Sequence, residues 1–390
     1  MRLLPCILGC ISNRTRLHAS RDGNYCLLPF DSQMVQRLVK LNFLEEIGGV
    51  KTARREAESI LLARALLKNR RVQVKDEKRM LKLVQKNKVL LRAADLLLIP
   101  RDVVDDAKKD VAEAFDLYDQ MSDVFTKHGV HFVAIKSFDS LPDVGHDIDL
   151  LVPSAEQLSL AERFLVDEYK VRPQGLTHCD RLLGKFSCFL PGYKHDFELY
   201  PTISQLGEFH LDPAEVLRHR RKVVVEGREV WMTSDSDRVL IRVIHAMFRH
   251  NFLKLSDILD FLKLIETANR DEVMEKIDSA RIGDAFIFYL ASIERFLKTC
   301  QVEDSRFLDI QKAAQARFGR DRLSALRRDR LVLPYRIPTV AIMMLFLLKA
   351  GREAARARWR SSLSCLVAPS LMILDFMSAA VRAGGRGGVW

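Results

Sequence analysis

Two aspartates stand one residue apart in GHDIDLLV, residues 145–152, at the start of a run of leucine and β-branched residues. Such a run favours a β-strand, and a strand places every second side chain on the same face. Asp147 and Asp149 would therefore point the same way, about 6.7 Å apart along the strand. Two carboxylates at this spacing repel each other unless a cation lies between them. The pair therefore suggests a metal site.

A second acidic pair occurs in KHDFELY, residues 194–200, where Asp196 and Glu198 share one face of another predicted strand. If the two strands pair side by side, three or four carboxylates converge, with Glu198 in a supporting role. Oxygen ligands of this kind suit Mg²⁺ or Mn²⁺. Two such ions can stabilise both the attacking and the leaving oxygen of a phosphoryl displacement. The acids therefore favour phosphoryl-transfer chemistry.

The acids lie in a short α/β segment between two helical regions. Residues 33–128 have helical apolar periodicity, whereas HFVAIKS from His131 predicts a strand and FDSLPDVGH a turn-rich loop. KVVVEGREVWMT predicts a hairpin that turns at Gly227, and helical patterns resume at Ser234. We therefore predict an α+β fold, in which a small mixed β-sheet is flanked by N-terminal and C-terminal helices. The predicted segments are a basic helical region (1–128), the α/β core (129–233), a helical domain (234–330) and an apolar, basic helical hairpin (331–390).

These motifs resemble those of the nucleotidyltransferase superfamily, which has a polymerase-β-like palm. They are most similar to an uncharacterised nucleotidyltransferase-like family with the pattern LLKG…DIDLLV…vDlH. AIKS (134–137) stands at the Lys-Gly of that pattern, DIDLLV matches it, and HDFE (195–198) stands at vDlH. The helical segment LIRVIHAMFRHNFLKLSDILDFLKLI is also similar. The resemblance covers roughly residues 129–270.

The resemblance implies a role for each matching residue. Asp147 and Asp149 would be metal ligands, and Asp196 would be the third carboxylate, acting as a ligand and as the base for an acceptor hydroxyl. Lys136 and Ser137 would face the nucleotide phosphates. The implied reaction moves a nucleoside monophosphate from an NTP, such as ATP, to an acceptor hydroxyl and releases pyrophosphate.

Two histidines in the similar helical segment, His245 and His250, are further candidates for supporting roles. They are five residues apart, so on an α-helix they would not stack as an i, i+4 metal-binding pair does. Structural roles are favoured for both by this spacing, and the resemblance keeps them as substrate-side candidates.

One departure from the superfamily leaves alternatives open. Lys136-Ser137 replaces a Gly-Ser turn, whose glycine lets backbone amides approach the triphosphate closely. An inactive module that binds nucleotide, RNA or a protein partner is therefore the alternative to an enzyme. A third possibility is a glycosyltransferase, which would use Asp-x-Asp to hold a metal on a nucleotide-sugar.

Charge and composition suggest partners and a compartment. The net charge is +11, and residues 51–90 contain thirteen Lys/Arg against four Asp/Glu. This stretch could bind nucleic acid or form a solvated helix face. Basic and apolar residues over 337–381 would suit peripheral membrane contact, or a hairpin packed on the protein itself. The seven cysteines form no CxxC or metal spacing, which favours reduced thiols and a cytoplasmic, or membrane-peripheral, location.

Overall fold

The computed structural model describes residues 49–174, 184–203 and 210–382, and the side chains of those between 53 and 371. The part of the predicted helical region before residue 49 lies outside these ranges. All of the described residues fall within one structural unit, Glu45–Trp390.

Four helices precede the sheet: α1 (Gly49–Leu67), α2 (Glu77–Lys86), α3 (Leu90–Leu97) and α4 (Arg101–Lys127). Helix α2 begins after Asp76, whose carboxylate accepts a hydrogen bond from the backbone N–H of Arg79 at 3.1 Å and so caps the helix. Helix α4 buries one face, which includes Phe115, Tyr118 and Phe125, in the main hydrophobic core. This helix is the layer on which the sheet packs.

The sheet has seven strands in the order β3-β4-β5-β2-β1-β7-β6. The strands are β1 (Val133–Ala134), β2 (Asp147–Leu151), β3 (Arg172–Pro173), β4 (Phe186–Phe189), β5 (Asp196–Tyr200), β6 (Arg221–Val225) and β7 (Arg228–Met232). Strand β2 is antiparallel to β1 and parallel to β5, so the sheet is mixed. The predicted α+β class, a mixed sheet between N-terminal and C-terminal helices, is confirmed.

The apolar face of the two central strands explains their orientation. Ile148 and Leu150 of β2 and Phe197 and Leu199 of β5 are buried in the core with α4 and with α5 (Ala155–Asp167). Burying each such side chain contributes about 1.5–3 kcal/mol. The alternating residues, which are the acids, must then face the opposite side of the sheet.

The hairpin predicted at Gly227 is present as β6 and β7, which pair antiparallel from Arg221↔Met232 to Val225↔Arg228. Its two turn residues, Glu226 and Gly227, have φ angles of 49° and 79°. Positive φ at both positions is what a two-residue type I′ turn requires. Glycine at the second position adopts a positive φ angle without steric strain.

The remaining elements are mostly helical. They are α6 (Pro213–Arg218), α7 (Asp235–Ile244), a π-helix (His245–His250), β8 (Phe252–Leu253), α8 (Leu255–Thr267), α9 (Arg270–Ser279), α10 (Gly283–Cys300), α11 (Ser305–Phe318), a 3₁₀ turn (Ser324–Leu326), β9 (Tyr335–Arg336), α12 (Thr339–Ala355) and α13 (Trp359–Arg382). Helices α12 and α13 pack against each other as a hairpin. Among the described residues, no helix has both the length and the apolar character needed to cross a membrane.

Candidate metal centre

Three carboxylates meet on the face of β2 and β5 that points away from the core. The parallel register sets Asp147 opposite Asp196 and Asp149 opposite Glu198. One carboxylate oxygen from each of Asp147, Asp149 and Glu198 lies within 4.8 Å of the other two. Oxygen atoms grouped in this way can share one Mg²⁺ or Mn²⁺ ion. We refer to these three residues as the acid triad.

Asp149 lies deepest in the acid triad. Its residue is 1% exposed, and neither carboxylate oxygen accepts a hydrogen bond from the described residues. Burial raises the pKa of Asp149 to about 7. A buried carboxylate without hydrogen bonds is costly unless a cation accompanies it. The Lys136 ammonium, 3.0 Å from Asp149, offsets part of this cost, and the three grouped carboxylate oxygens are ligands that also suit a hard divalent ion.

Asp196, the third carboxylate expected from the sequence, lies outside the acid triad. It is the first residue of β5, half-exposed and opposite Asp147 in the register. Burial and the neighbouring carboxylates of Glu198 and Asp147 raise its pKa. Glu198, which the sequence suggested as a supporting residue, takes the place in the triad instead.

Glu198 is held on both of its carboxylate oxygens. The ammonium of Lys185 lies 2.5 Å from Oε1, and the hydroxyl of Tyr200 donates to Oε2. Arg249 Nη2 in turn donates to the Tyr200 hydroxyl at 2.8 Å, and its guanidinium lies 4.7 Å from the centre of the Tyr200 ring. This chain of contacts fixes the orientation of Glu198.

Two lysines neutralise the other two acids. Lys136 Nζ lies 3.0 Å from Asp149 Oδ2 and 3.9 Å from Asp147 Oδ2, and Lys88 Nζ lies 3.6 Å from Asp147 Oδ1. Burial would raise the pKa of Asp147, but Lys136 and Lys88 hold it below its ordinary value. Burial likewise opposes the charge of Lys136, yet Asp149 and Asp147 raise its pKa. Lys136 therefore lies beside Asp147 and Asp149, and its predicted contact with nucleotide phosphates stays a prediction.

Two small residues allow this arrangement. Ser137 Oγ accepts a hydrogen bond from the backbone N–H of Asp149 at 2.7 Å, which ties the turn after β1 to β2. At Gly145, a Cβ atom would lie 2.6 Å from Lys88 Nζ and 2.9 Å from Asp147 Oδ1. Glycine at this position lets the Lys88 ammonium approach Asp147.

His245 and His250 lie closer together than their spacing on an α-helix allows. Their ring centroids are 5.5 Å apart. The two rings are tilted by 53° to each other, and the helix is a π-helix over His245–His250. A π-helix forms i→i+5 hydrogen bonds and is wider than an α-helix, which brings residues five apart nearer to the same face. Burial, with the charge of Lys136, lowers the pKa of both histidines.

A second group of buried charges holds the loop that leads into β2. We call it the loop clamp, and it consists of Asp139, Asp143 and Asp260 with Arg92, Arg238 and Arg242. Arg242 Nη2 lies 3.0 Å from Asp139 and 2.8 Å from Asp260. Asp143 accepts hydrogen bonds from the backbone N–H groups of Leu91, at 2.7 Å, and Arg92, at 3.2 Å. The clamp thereby joins the loop to α3, α7 and α8.

Sequence reasoning missed several residues around the acid triad, namely Lys88, Lys185, Tyr200, Arg249 and Lys254. Tyr200 could have been found, because it follows Glu198 by two residues on the same strand face. The sequence pattern places Lys88 only in the basic helical stretch of residues 51–90. Lys254 carries a pKa lowered to about 8 by burial and by nearby Lys88, and no local pattern indicates it.

Comparison with known proteins agrees with the motif resemblance. Residues 145–298 match the model of a family described as "Uncharacterised nucleotidyltransferase". Among solved structures, the chain is similar to an antigenic nucleotidyltransferase-like protein from Paracoccidioides brasiliensis, with 12% identity, a TM-score of 0.33, and coverage of 52% of this chain and 98% of that one. No curated protein matches the chain. The resemblance predicted from DIDLLV is confirmed, and residues 145–298 carry the sequence pattern of the uncharacterised nucleotidyltransferase family.

Proposed function

We propose that the protein is a metal-dependent nucleotidyltransferase that moves a nucleoside monophosphate from an NTP to an acceptor hydroxyl. The observation that supports this best is the acid triad, in which buried Asp149 accepts no hydrogen bond from the described residues. Asp147, Asp149 and Glu198 would hold Mg²⁺ or Mn²⁺. The ion, when bound, would polarise the α-phosphate and stabilise the charge that develops on the oxygens.

The residues around the triad have the charges that such a reaction needs. Lys136 and Lys88 lie within 4 Å of Asp147, and the charge of Asp147 favours the charged form of Lys254. These ammonium groups would bind the triphosphate and the departing pyrophosphate, since both carry several negative charges. They supply the positive charge that backbone amides provide in a Gly-Ser turn.

Asp196 is the group that we propose as the general base. It is half-exposed at the start of β5, so an acceptor could reach it, and its pKa is raised. A raised pKa makes a carboxylate a stronger base. The acceptor hydroxyl would give its proton to Asp196 as its oxygen bonds to the α-phosphorus. The bond from that phosphorus to the bridging oxygen breaks, and pyrophosphate leaves.

Metal and nucleotide binding tests the proposal before the acceptor is identified. Mn²⁺ binding is measured by the loss of the electron paramagnetic resonance signal of the free ion. ATP or another NTP should strengthen this binding. Asp149→Asn should weaken Mn²⁺ binding by at least about 100-fold, because it removes one anionic ligand from a buried site. Asp123→Asn, at an exposed position of α4, is the matched control and should bind as the wild type does.

Turnover is the second readout. Mg²⁺-dependent pyrophosphate release should be lost in Asp149→Asn and Glu198→Gln, and reduced without loss of metal binding in Asp196→Asn. Full pyrophosphate release by Asp149→Asn would exclude this mechanism.

The alternative, an inactive binding module, has one specific observation in its favour. Lys136 Nζ lies 3.0 Å from Asp149 and 3.9 Å from Asp147, so the chain itself supplies a cation to the acids. A wild-type protein that binds NTP but takes up no Mn²⁺ at millimolar concentration would favour this module over the enzyme.

Two further proposals concern nucleic-acid binding and the cellular compartment. Nucleic-acid binding through residues 51–90 stays a prediction: Arg54 and Arg79 pair with Glu58, whereas Arg55 and Arg70 are exposed. The described cysteines, Cys188, Cys300 and Cys365, are free thiols, which supports a reducing compartment such as the cytoplasm. Membrane contact is argued separately below.

A further inference from the structure

Helix α13 presents a row of large apolar side chains to solvent. Trp359, Leu363, Leu366 and Val367 are 68%, 61%, 49% and 43% exposed. Their spacing of i, i+4, i+7 and i+8 places them on one face of the helix. We call this row the hairpin stripe.

The opposite face of α13 explains why the hairpin stripe points outward. Ser361, Ser362, Cys365 and Ala368 are buried, and α13 packs against α12. Small side chains let two helices approach closely. The stripe therefore cannot turn inward without exposing this packed face.

The hairpin stripe is a concentrated apolar surface. Nine large hydrophobic side chains are exposed among the described residues, and four of them form the stripe. Single exposed apolar side chains are ordinary on soluble proteins, whereas contiguous ones mark binding surfaces.

Positive charge surrounds one end of the stripe. Arg356, Arg358 and Arg360 are exposed on either side of Trp359, where the chain turns between α12 and α13. Arg356 and Arg360 form no ion pair with the described residues. The nearest acid along the chain, Glu353, is buried and paired with Arg281 at 2.5 Å. Residues 357–361 also line an open depression at this turn.

We propose that the hairpin stripe and its arginines dock on an anionic lipid surface. The guanidinium groups would bind headgroup phosphates, Trp359 would lie at the interface, and the leucines would enter the acyl boundary. An apolar protein surface or a second copy of the stripe would cover the leucines but would supply no opposite charge to Arg356 and Arg360. Charge complementarity therefore favours the lipid surface. This inference does not depend on the proposed enzymatic function.

Vesicle sedimentation with the full chain tests the proposal. The protein should sediment with phosphatidylcholine vesicles that contain phosphatidylserine, and not with pure phosphatidylcholine vesicles. High salt should release it, because surface charge attraction is screened. Arg356→Glu with Arg360→Glu should weaken binding at least about 25-fold, since each arginine near an anionic surface contributes about fivefold. Leu363→Ser with Leu366→Ser should weaken it at least about tenfold.

Two exposed positions outside the hairpin provide matched controls. Leu308→Ser and Arg322→Glu change the same residue types at exposed sites and should bind as the wild type does. Unchanged thermal unfolding of the hairpin variants shows that they are folded. Equal binding to both vesicle types, or full binding by either double variant, would overturn the proposal. It would also be overturned if light scattering showed a dimer that the leucine double variant dissociates while no vesicles are bound.

Discussion

The acid triad and the loop clamp both contain buried carboxylates, and Asp139 and Asp143 of the clamp precede Asp147 by a few residues, yet the two groups are neutralised differently. In the loop clamp, Asp139 and Asp260 contact arginine guanidinium groups at 2.5–3.0 Å. In the acid triad, Asp149 has one lysine ammonium at 3.0 Å and accepts no hydrogen bond from the described residues.

This difference indicates that the loop clamp is a structural cluster, whereas the acid triad is a candidate binding site. Arginine keeps its charge and presents a planar array of donors, so the clamp acids have permanent cationic partners within the protein. Lysine is a compact charge on a flexible chain, and it leaves acceptor capacity on the carboxylates. Asp139 and Asp260 of the clamp each have two arginine partners, whereas Asp149 has one lysine, so the triad has more capacity to accept a further cation.

The largest expected effect comes from breaking the loop clamp. Arg242→Met should lower the free energy of unfolding by about 3–5 kcal/mol, because it leaves Asp139 and Asp260 without a shared buried partner. Urea unfolding followed by circular dichroism measures this. Arg228→Met, which removes an exposed pair with Asp116 and Asp119, should cost no more than about 1 kcal/mol. Similar losses from the two variants would contradict the distinction.

The next effect tests whether a metal ion can replace the Lys136 ammonium beside the acid triad. Lys136→Met should lower the unfolding free energy by about 2–3 kcal/mol in EDTA, since two buried carboxylates lose their nearest cation. Mg²⁺ or Mn²⁺ at about 100 times its dissociation constant should restore about 2.7 kcal/mol. The Arg242→Met variant should gain nothing comparable from the ion. If the ion restored the unfolding free energy of both variants, or of neither, the result would contradict the difference between the acid triad and the loop clamp.

A smaller effect compares the same substitution in both groups. Asp139→Asn should lower the unfolding free energy by about 2–3 kcal/mol, because it removes the ion pair with Arg238 and weakens the charge-assisted hydrogen bond from Arg242. Asp149→Asn should be neutral or stabilising in metal-free buffer, since burial disfavours the charge of Asp149 more than Lys136 favours it and so raises its pKa to about 7. The measurement is the difference between the urea-unfolding midpoints of the Asp139→Asn and Asp149→Asn variants. A larger loss at position 149 would show that its charge serves the fold.

The smallest effect is a pH dependence within the loop clamp. Burial raises the pKa of Asp143 to about 6, although hydrogen bonds from Leu91 and Arg92 oppose this. Between about pH 4 and pH 6 the folded protein then holds a proton that the unfolded chain has released, so stability falls as pH rises. Relative to Asp143→Asn, the wild type should lose on the order of 2 kcal/mol across this window. A difference that is constant with pH would contradict the raised pKa.

The sequence predicted the parts of this fold that follow from local periodicity. The strand with Asp147 and Asp149 on one face, the hairpin at Gly227 and the flanking helices are all present. Each depends on alternation, turn chemistry or helical spacing, which a short stretch of residues contains.

The composition of the acid triad depends on information that is not local. Asp196 and Glu198 share a strand face, so periodicity cannot choose between them; the choice depends on how β5 is placed beside β2. Lys88 reaches the site because Asn87 accepts a hydrogen bond from the Leu255 backbone at 2.9 Å and holds the α2–α3 turn against α8. The π-helix that brings His245 and His250 together is likewise not indicated by residue spacing.

Strand β1 lies between β2 and β7 in the sheet, although it comes before residue 145, where the family match begins. A fragment trimmed to residues 145–298 would expose the edge of β2, break the sheet into two parts and lack two of the lysines beside the acids. The smallest piece that can fold with an intact centre must therefore extend back at least to the turn that contains Lys88, and any shortened version for crystallisation or assay should begin before that turn.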